Sequence, residues 1–210
     1  VRRRPPYWIS SIGGRELILS SFHRSAESVH SYVDAIAAAG SVCLEAYPSS
    51  AFALASLMAD SGIVPLRLRA VVTSSETLLT HQRAMIERML GPVFDYYGNG
   101  ERVAFISGCE QGRYHYMMDY SIVEFLPSTV EGLCQIVGTS LHNRVMPFYR
   151  YVTGDLARLS GAACPCGRAF PVVDQIEGRM EDVVRTPTGR WIGRLDGIFK
   201  AVTGIREAQI

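Results

Sequence analysis

Asp95-Tyr96-Tyr97-Gly98-Asn99-Gly100-Glu101 leaves the end of an apolar strand as a glycine-rich turn closed by a carboxylate. Ligands of open parallel sheets bind beyond the carboxyl ends of the strands, so this turn lies where a ligand would sit. An aromatic ring there can stack on a base, and glycines admit the close approach of a phosphate. A carboxylate can hold Mg2+ that is shared with phosphate oxygens. A plain turn leaving a sheet, with an exposed glutamate, fits the same residues.

Upstream of the turn, helix and strand alternate. Ser25 opens a helix whose apolar positions Val29, Tyr32, Val33, Ile36 and Ala37 recur at three and four, ended by Gly40. Residues 42–46 read as a buried strand. Ser49 or Ser50 caps a second helix carrying Phe52, Leu54, Ala55, Leu57 and Met58, which Gly62 ends. Residues 68–73 form a second strand, and Thr80 caps a third helix with Met85, Ile86, Met89 and Leu90 on one face. Gly91-Pro92 stops that helix, and residues 93–96 are a third strand. Repeated strand–helix units imply a parallel sheet with crossover helices.

Downstream of Gly98 the pattern changes. Residues 103–106, 114–118, 122–126, 135–139 and 149–152 are short strands separated by turns, which predicts antiparallel pairing. The tail holds a hairpin signal at Pro187-Thr188-Gly189-Arg190 and one short helix. The expected class is α/β, a parallel βαβ half followed by an antiparallel β region.

The 210 residues are 48% hydrophobic and 20% charged with a net charge of +1, a globular balance rather than a disordered one. That charge, without a basic–aromatic stripe, argues against nucleic acid as a partner, although Val1-Arg2-Arg3-Arg4 is locally basic. No apolar run follows those arginines as in a secretory signal, and none approaches the roughly 20 residues of a membrane span. Lys200 is the only lysine.

Five cysteines at irregular spacing argue against a disulfide framework and for a reducing, cytoplasmic setting. Cys43 and Cys134 lie in apolar runs and read as core thiols. Cys109 with His115, and Cys164 with Cys166, form two short clusters of the kind that together hold a structural Zn2+. The alternative is a hydrogen-bonded strand histidine near thiols that are merely buried. His23, His30, His81 and His142 have no such company and read as surface or capping residues.

Two further clusters complete a series. In Tyr151-Val152-Thr153-Gly154-Asp155 an aspartate just past a glycine is suited to accept hydrogen bonds from a ribose diol. Gly178-Arg179-Met180-Glu181-Asp182 reads as a polar turn whose arginine can reach a ribose or phosphate. Each alone fits an ordinary turn. Together, in this order and spacing, they resemble the adenylate-forming superfamily of acyl-CoA synthetases and ligases. Ala46-Tyr47-Pro48-Ser49-Ser50, Thr73-Ser74-Ser75-Glu76-Thr77-Leu78 and Cys164-Pro165-Cys166-Gly167-Arg168 are similar to the phenylacetate–CoA ligase branch. Within that branch the chain most resembles the relatives of capsular polysaccharide biosynthesis, to which residues 182–190 and the terminal Glu207-Ala208-Gln209-Ile210 also point.

The resemblance implies roles. Tyr97 would pack on adenine, with Ser75, Glu76 and Gly98 in the same nucleotide-binding set. Glu101 would be the catalytic, Mg2+-linked carboxylate, Asp155 the ribose ligand, Arg179 a ribose or phosphate contact, and Glu181 the hinge. Asn99-Gly100 departs from the small hydroxyl residue that many members carry before the glutamate. The implied chemistry joins a small carboxylate to ATP as an acyl-adenylate, after which a thiol such as CoA displaces AMP; it depends on positioning and charge neutralisation. Residues 1–178 would form the second half of the large adenylation domain, and 179–210 the hinge and the start of the small one. The family's Ser/Thr/Gly-rich phosphate loop finds no counterpart here, and Lys200 is too near the hinge to be its catalytic lysine. The chain by itself is therefore expected not to turn over ATP, and a catalytically inactive remnant or interaction module keeping the fold is the alternative. An apolar face left by a cut domain keeps a homo-oligomer open.

Overall fold

A computed structural model describes residues 5–11, 13, 16–159, 161–180, 184–188 and 191–192. The chain divides into two compact units, Val1–Val93 and Phe94–Ile210.

In the first unit, β1 (Trp8–Ser10) and β2 (Leu17–Leu19) form an antiparallel hairpin that the sequence reading did not identify. Helix α1 (Ala26–Ala38) starts after Ser25, as expected, and the Ser25 N–H donates to Ser28 Oγ at 2.9 Å. Its buried stripe includes Val29, Tyr32 and Ile36. Strand β3 (Cys43–Ala46) leads into α2 (Pro48–Asp60), whose cap is Tyr47. The helix thus begins ahead of Ser49 and Ser50, because the fixed φ of Pro48 suits the first helical position and its missing N–H costs nothing there. Strand β4 (Ala70–Ser74) pairs in parallel with β3, from Cys43 opposite Ala70 to Ala46 opposite Thr73, with α2 as the crossover. Helix α3 (Thr80–Met89) is capped one residue earlier than expected, at Leu79, whose N–H donates to Gln82 Oε1 at 3.1 Å.

Val29, Tyr32, Ile36, Leu54, Ala55, Met58, Val71, Ile86 and Leu90 share the core of this unit. Full burial of a large apolar side chain is worth roughly 1.5–3 kcal/mol, so these contacts hold the three helices in place. Cys43, expected in the core, is exposed. Among the described residues of this unit β3 is paired only along its β4 side, and the strand's alternation turns Leu44 inward and Cys43 outward.

The second unit opens within β5 (Val93–Gly98), and the ladders among its described strands are antiparallel. Strands β6 (Phe105–Gly108), β7 (Tyr114–Tyr116) and β11 (Val172–Val173) follow β5 in one sheet. Strands β8 (Ser121–Pro127), β9 (Cys134–Ser140), β10 (Tyr151–Arg158) and β12 (Gln175–Arg179) make another, with β10 between β9 and β12. Ala104, Ile106, Val123, Ile136, Ala157 and Val173 pack together as its main core. A β13–β14 ladder (Val184–Arg185 with Trp191–Ile192) flanks the expected turn at 187–190. The short helix expected in the tail lies outside the described residues.

Strand β10 departs from regular pairing at a bulge, and β9, which it pairs with, is closely approached opposite the start of β10. Val152 faces Val137 and Leu156 faces Gln135, so Thr153, Gly154 and Asp155 bulge out opposite the single residue Ile136. Gly154 takes φ +79°, a conformation that glycine adopts without strain. The Thr153 hydroxyl donates to the Ile136 carbonyl at 3.0 Å and accepts the Asp155 N–H at 3.1 Å, which pins the bulge. At the strand's start Tyr151 faces Gly138, where an added Cβ would lie 2.2 Å from the Val103 carbonyl oxygen. Only glycine lets the loop before β6 pack so closely on β9.

Candidate functional site

In the first unit, Ser75 lies at the end of β4 with φ +68°, a strained backbone for a non-glycine residue. Its neighbour Glu76 is committed to α2: one carboxylate oxygen accepts the Ser49 N–H at 3.1 Å and the other the Ser49 hydroxyl at 3.0 Å. An anion there satisfies a helix N-terminus, which has donors to spare.

The second unit gathers the other nucleotide-site candidates. Tyr97, near the end of β5, donates its phenol hydrogen to Asp155 Oδ2 at 2.6 Å. Arg179 Nε lies 3.5 Å from Asp155 Oδ1. Both contacts follow from backbone structure. Arg179 is not in a loop, as the sequence suggests, but at the end of β12, directly opposite Asp155 in the antiparallel register. The bulge sets the direction of Asp155. Burial of the Tyr97 ring, helped by the carboxylate it donates to, pushes its phenol well above the usual tyrosine range. Tyr97 is therefore a neutral phenol that donates to the Asp155 carboxylate.

Glu101 lies in the turn after Gly98. Asn99 Oδ1 accepts the Val103 N–H at 3.0 Å and the Asn99 carbonyl accepts the Arg102 N–H at 3.1 Å, so the residue that departs from the expected hydroxyl closes the turn. The Tyr151 phenol donates to Glu101 Oε1 at 2.9 Å, and that bond raises its pKa. Glu101 Oε2 accepts no hydrogen bond from the described residues. One hard, anionic oxygen of this kind, added to phosphate oxygens, fits Mg2+. Sequence reasoning quoted Tyr151 at the head of its motif but gave it no role; its contact depends on the pairing with Gly138.

A second cluster in this unit joins Cys109, His115, Cys164 and Cys166, whose ligand atoms all lie within 4.8 Å of one another. The Sγ atoms of Cys109 and Cys164 are 3.7 Å apart, and Cys166 Sγ is 3.4 Å from His115 Nε2. Two thiolates on one tetrahedral ion at about 2.3 Å would be separated by about 3.8 Å, so the spacing fits such an ion. His115 Nδ1 is 2.7 Å from the Phe170 carbonyl. A proton on Nδ1 makes that bond and leaves the Nε2 lone pair facing the thiols, as metal-binding histidines are usually held. The backbone N–H of Arg168 draws the Cys166 thiol down to about 6. Glu181 lies outside the described residues, as does Lys200.

No family model matches the sequence. The phenylacetate-coenzyme A ligase of Thermus thermophilus is 31% identical over 150 residues, which cover 65% of this chain and 34% of that protein. The crystal structure of 2-hydroxyisobutyryl-CoA ligase in its postadenylation state with R3-HIB-AMP superposes with a TM-score of 0.68 at 21% identity, over 89% of this chain and 43% of that one. The chain carries part of the adenylate-forming fold. The anthranilate CoA ligase AuaEII in complex with anthranoyl-AMP shares that adenylate-forming fold over 82% of this chain and 36% of its own, at a TM-score of 0.53 and 14% identity. The chain spans about a third of the length of the curated ligase it matches. Among the described residues, no helix is long and apolar enough to cross a membrane.

Proposed function

We propose that this chain supplies the adenine- and ribose-binding part of a carboxylate–CoA ligase. The observation that carries the reading is the Tyr97–Asp155–Arg179 junction, which links three separate sequence motifs at one point. Asp155, fixed by both neighbours, accepts the ribose hydroxyls, Tyr97 lies against adenine, and Arg179 contacts ribose or phosphate. Gly98 leaves room for the nucleotide, and the places of Ser75 and Glu76 in the nucleotide-binding set rest on the sequence resemblance alone. Glu101 holds Mg2+, which when bound neutralises phosphate charge. The acyl-AMP ligands named for the solved relatives support this assignment, and the matched Thermus ligase supports CoA as the thiol.

Residues 1–178 serve as part of the large adenylation domain and 179–210 as the hinge, with Glu181, and the start of the small domain. Zn2+ in the Cys109–His115–Cys164–Cys166 cluster is structural, since four protein ligands leave no open position. Reduced thiols of this kind suit the cytoplasm. The resemblance of the tail supports a role in capsular polysaccharide assembly.

Incubation of the 210-residue chain with ATP, CoA and phenylacetate tests the reading. Saturable ATP binding without carboxylate-dependent AMP release is expected. Absence of ATP binding would overturn the nucleotide assignment, and AMP release would overturn the expectation that this chain alone does not turn over ATP.

A further inference from the structure

We propose that Tyr151 is a positioning residue that holds Glu101 by one carboxylate oxygen and so aims the other at a divalent cation. The inference rests on the nucleotide reading above. The turn that carries Glu101 is fixed in its backbone by Asn99 and by the packing of Val103 on Gly138. Nothing in that backbone sets the direction of the glutamate side chain. Tyr151 does so, through the 2.9 Å bond to Oε1, and it is the only described residue that bonds this carboxylate.

The tyrosine is itself held. Its ring packs edge-on against Phe148, with centroids 5.0 Å apart and planes at 65°. Its backbone is paired with Gly138, so the contact between β10 and the Glu101 turn follows from the same register that builds the bulge at Asp155. The chemical type of the partner also matters. A guanidinium at this place would cancel the carboxylate charge, whereas a neutral phenol orients the group and leaves the charge for a metal. The neighbouring cation, Arg150, is engaged elsewhere: Nε and Nη2 reach the two oxygens of Glu124 at 3.0 and 3.1 Å. Hydrogen-bond partners that orient a ligating carboxylate typically change metal affinity by 10- to 100-fold when removed.

Mn2+ serves as the probe, with free ion counted by electron paramagnetic resonance in the presence of ATP. The wild-type chain, Tyr151→Phe and Glu101→Gln are compared, with circular dichroism confirming the fold of each. The expected result is nucleotide-dependent Mn2+ binding by the wild type, weakened by about tenfold in Tyr151→Phe and more in Glu101→Gln. Weak binding in Glu101→Gln beside wild-type binding in Tyr151→Phe would overturn the positioning role and leave the nucleotide reading in place. Wild-type binding in Glu101→Gln, or no binding by the wild-type chain, would overturn the metal role of Glu101 and the inference with it.

Discussion

Tyr97 and Asp155, 58 positions apart in sequence, are joined by a 2.6 Å hydrogen bond from phenol to carboxylate. Tyr97 stands near the end of β5 and Asp155 in the bulge of β10, so the bond closes the proposed ribose site from both sides. Because the phenol is buried and donates to an anion, losing its proton would place two negative charges side by side.

That relationship gives a pH signature. The folded phenol titrates above the ordinary value of about 10, so its contribution to stability is full below that pH and is lost as pH rises through the folded value. Urea midpoints measured from about pH 8 to about pH 11 should fall more steeply in the wild type than in Tyr97→Phe. Equal slopes would show that the phenol titrates normally.

Glu76 is predicted to matter for stability. Its two bonds to Ser49 do the work of a helix cap, so Glu76→Ala should cost roughly 0.5–2 kcal/mol in urea unfolding. Glu76→Gln, which keeps an acceptor, should lose less. Unchanged stability in Glu76→Ala would remove the capping role and leave only its place in the nucleotide set.

The thiol cluster should hold one Zn2+ per chain in protein never exposed to chelator, measured by elemental analysis. Cys166→Ser and His115→Ala should each reduce that stoichiometry, and chelation should lower the thermal midpoint, since an ion bound only by the folded state stabilises it. Metal-free protein with an unchanged midpoint after chelator would contradict the structural Zn2+.

Periodicity made much of the fold legible. The apolar stripe of α1 and its opening Ser25 are local features, and so is the alternation that marks β8 and β9. Local signals also misled, as at Pro48, whose preference for the first helical turn overrides the serines behind it. Cys43 lies in an apolar run but is exposed, because exposure depends on which strand edge is paired. The site was legible as residue types in order. Its geometry was not: Arg179 meets Asp155 through strand register, and Tyr151 meets Glu101 through a glycine on a third strand. Neither relationship has a period or a motif, since each depends on pairing between distant segments. The Cys109–His115 and Cys164–Cys166 clusters were legible as a set, whereas the Phe170 carbonyl that orients His115 was not.

Calorimetric titration of AMP into the wild-type chain and into Asp155→Asn tests the central claim most directly. The asparagine keeps an acceptor for Tyr97 but removes the charge proposed to hold the ribose. The account predicts saturable binding by the wild type, weakened roughly tenfold or more in the variant, the scale of a lost charge-assisted hydrogen bond. No binding by the wild-type chain, or equal affinity in the two proteins, would contradict it.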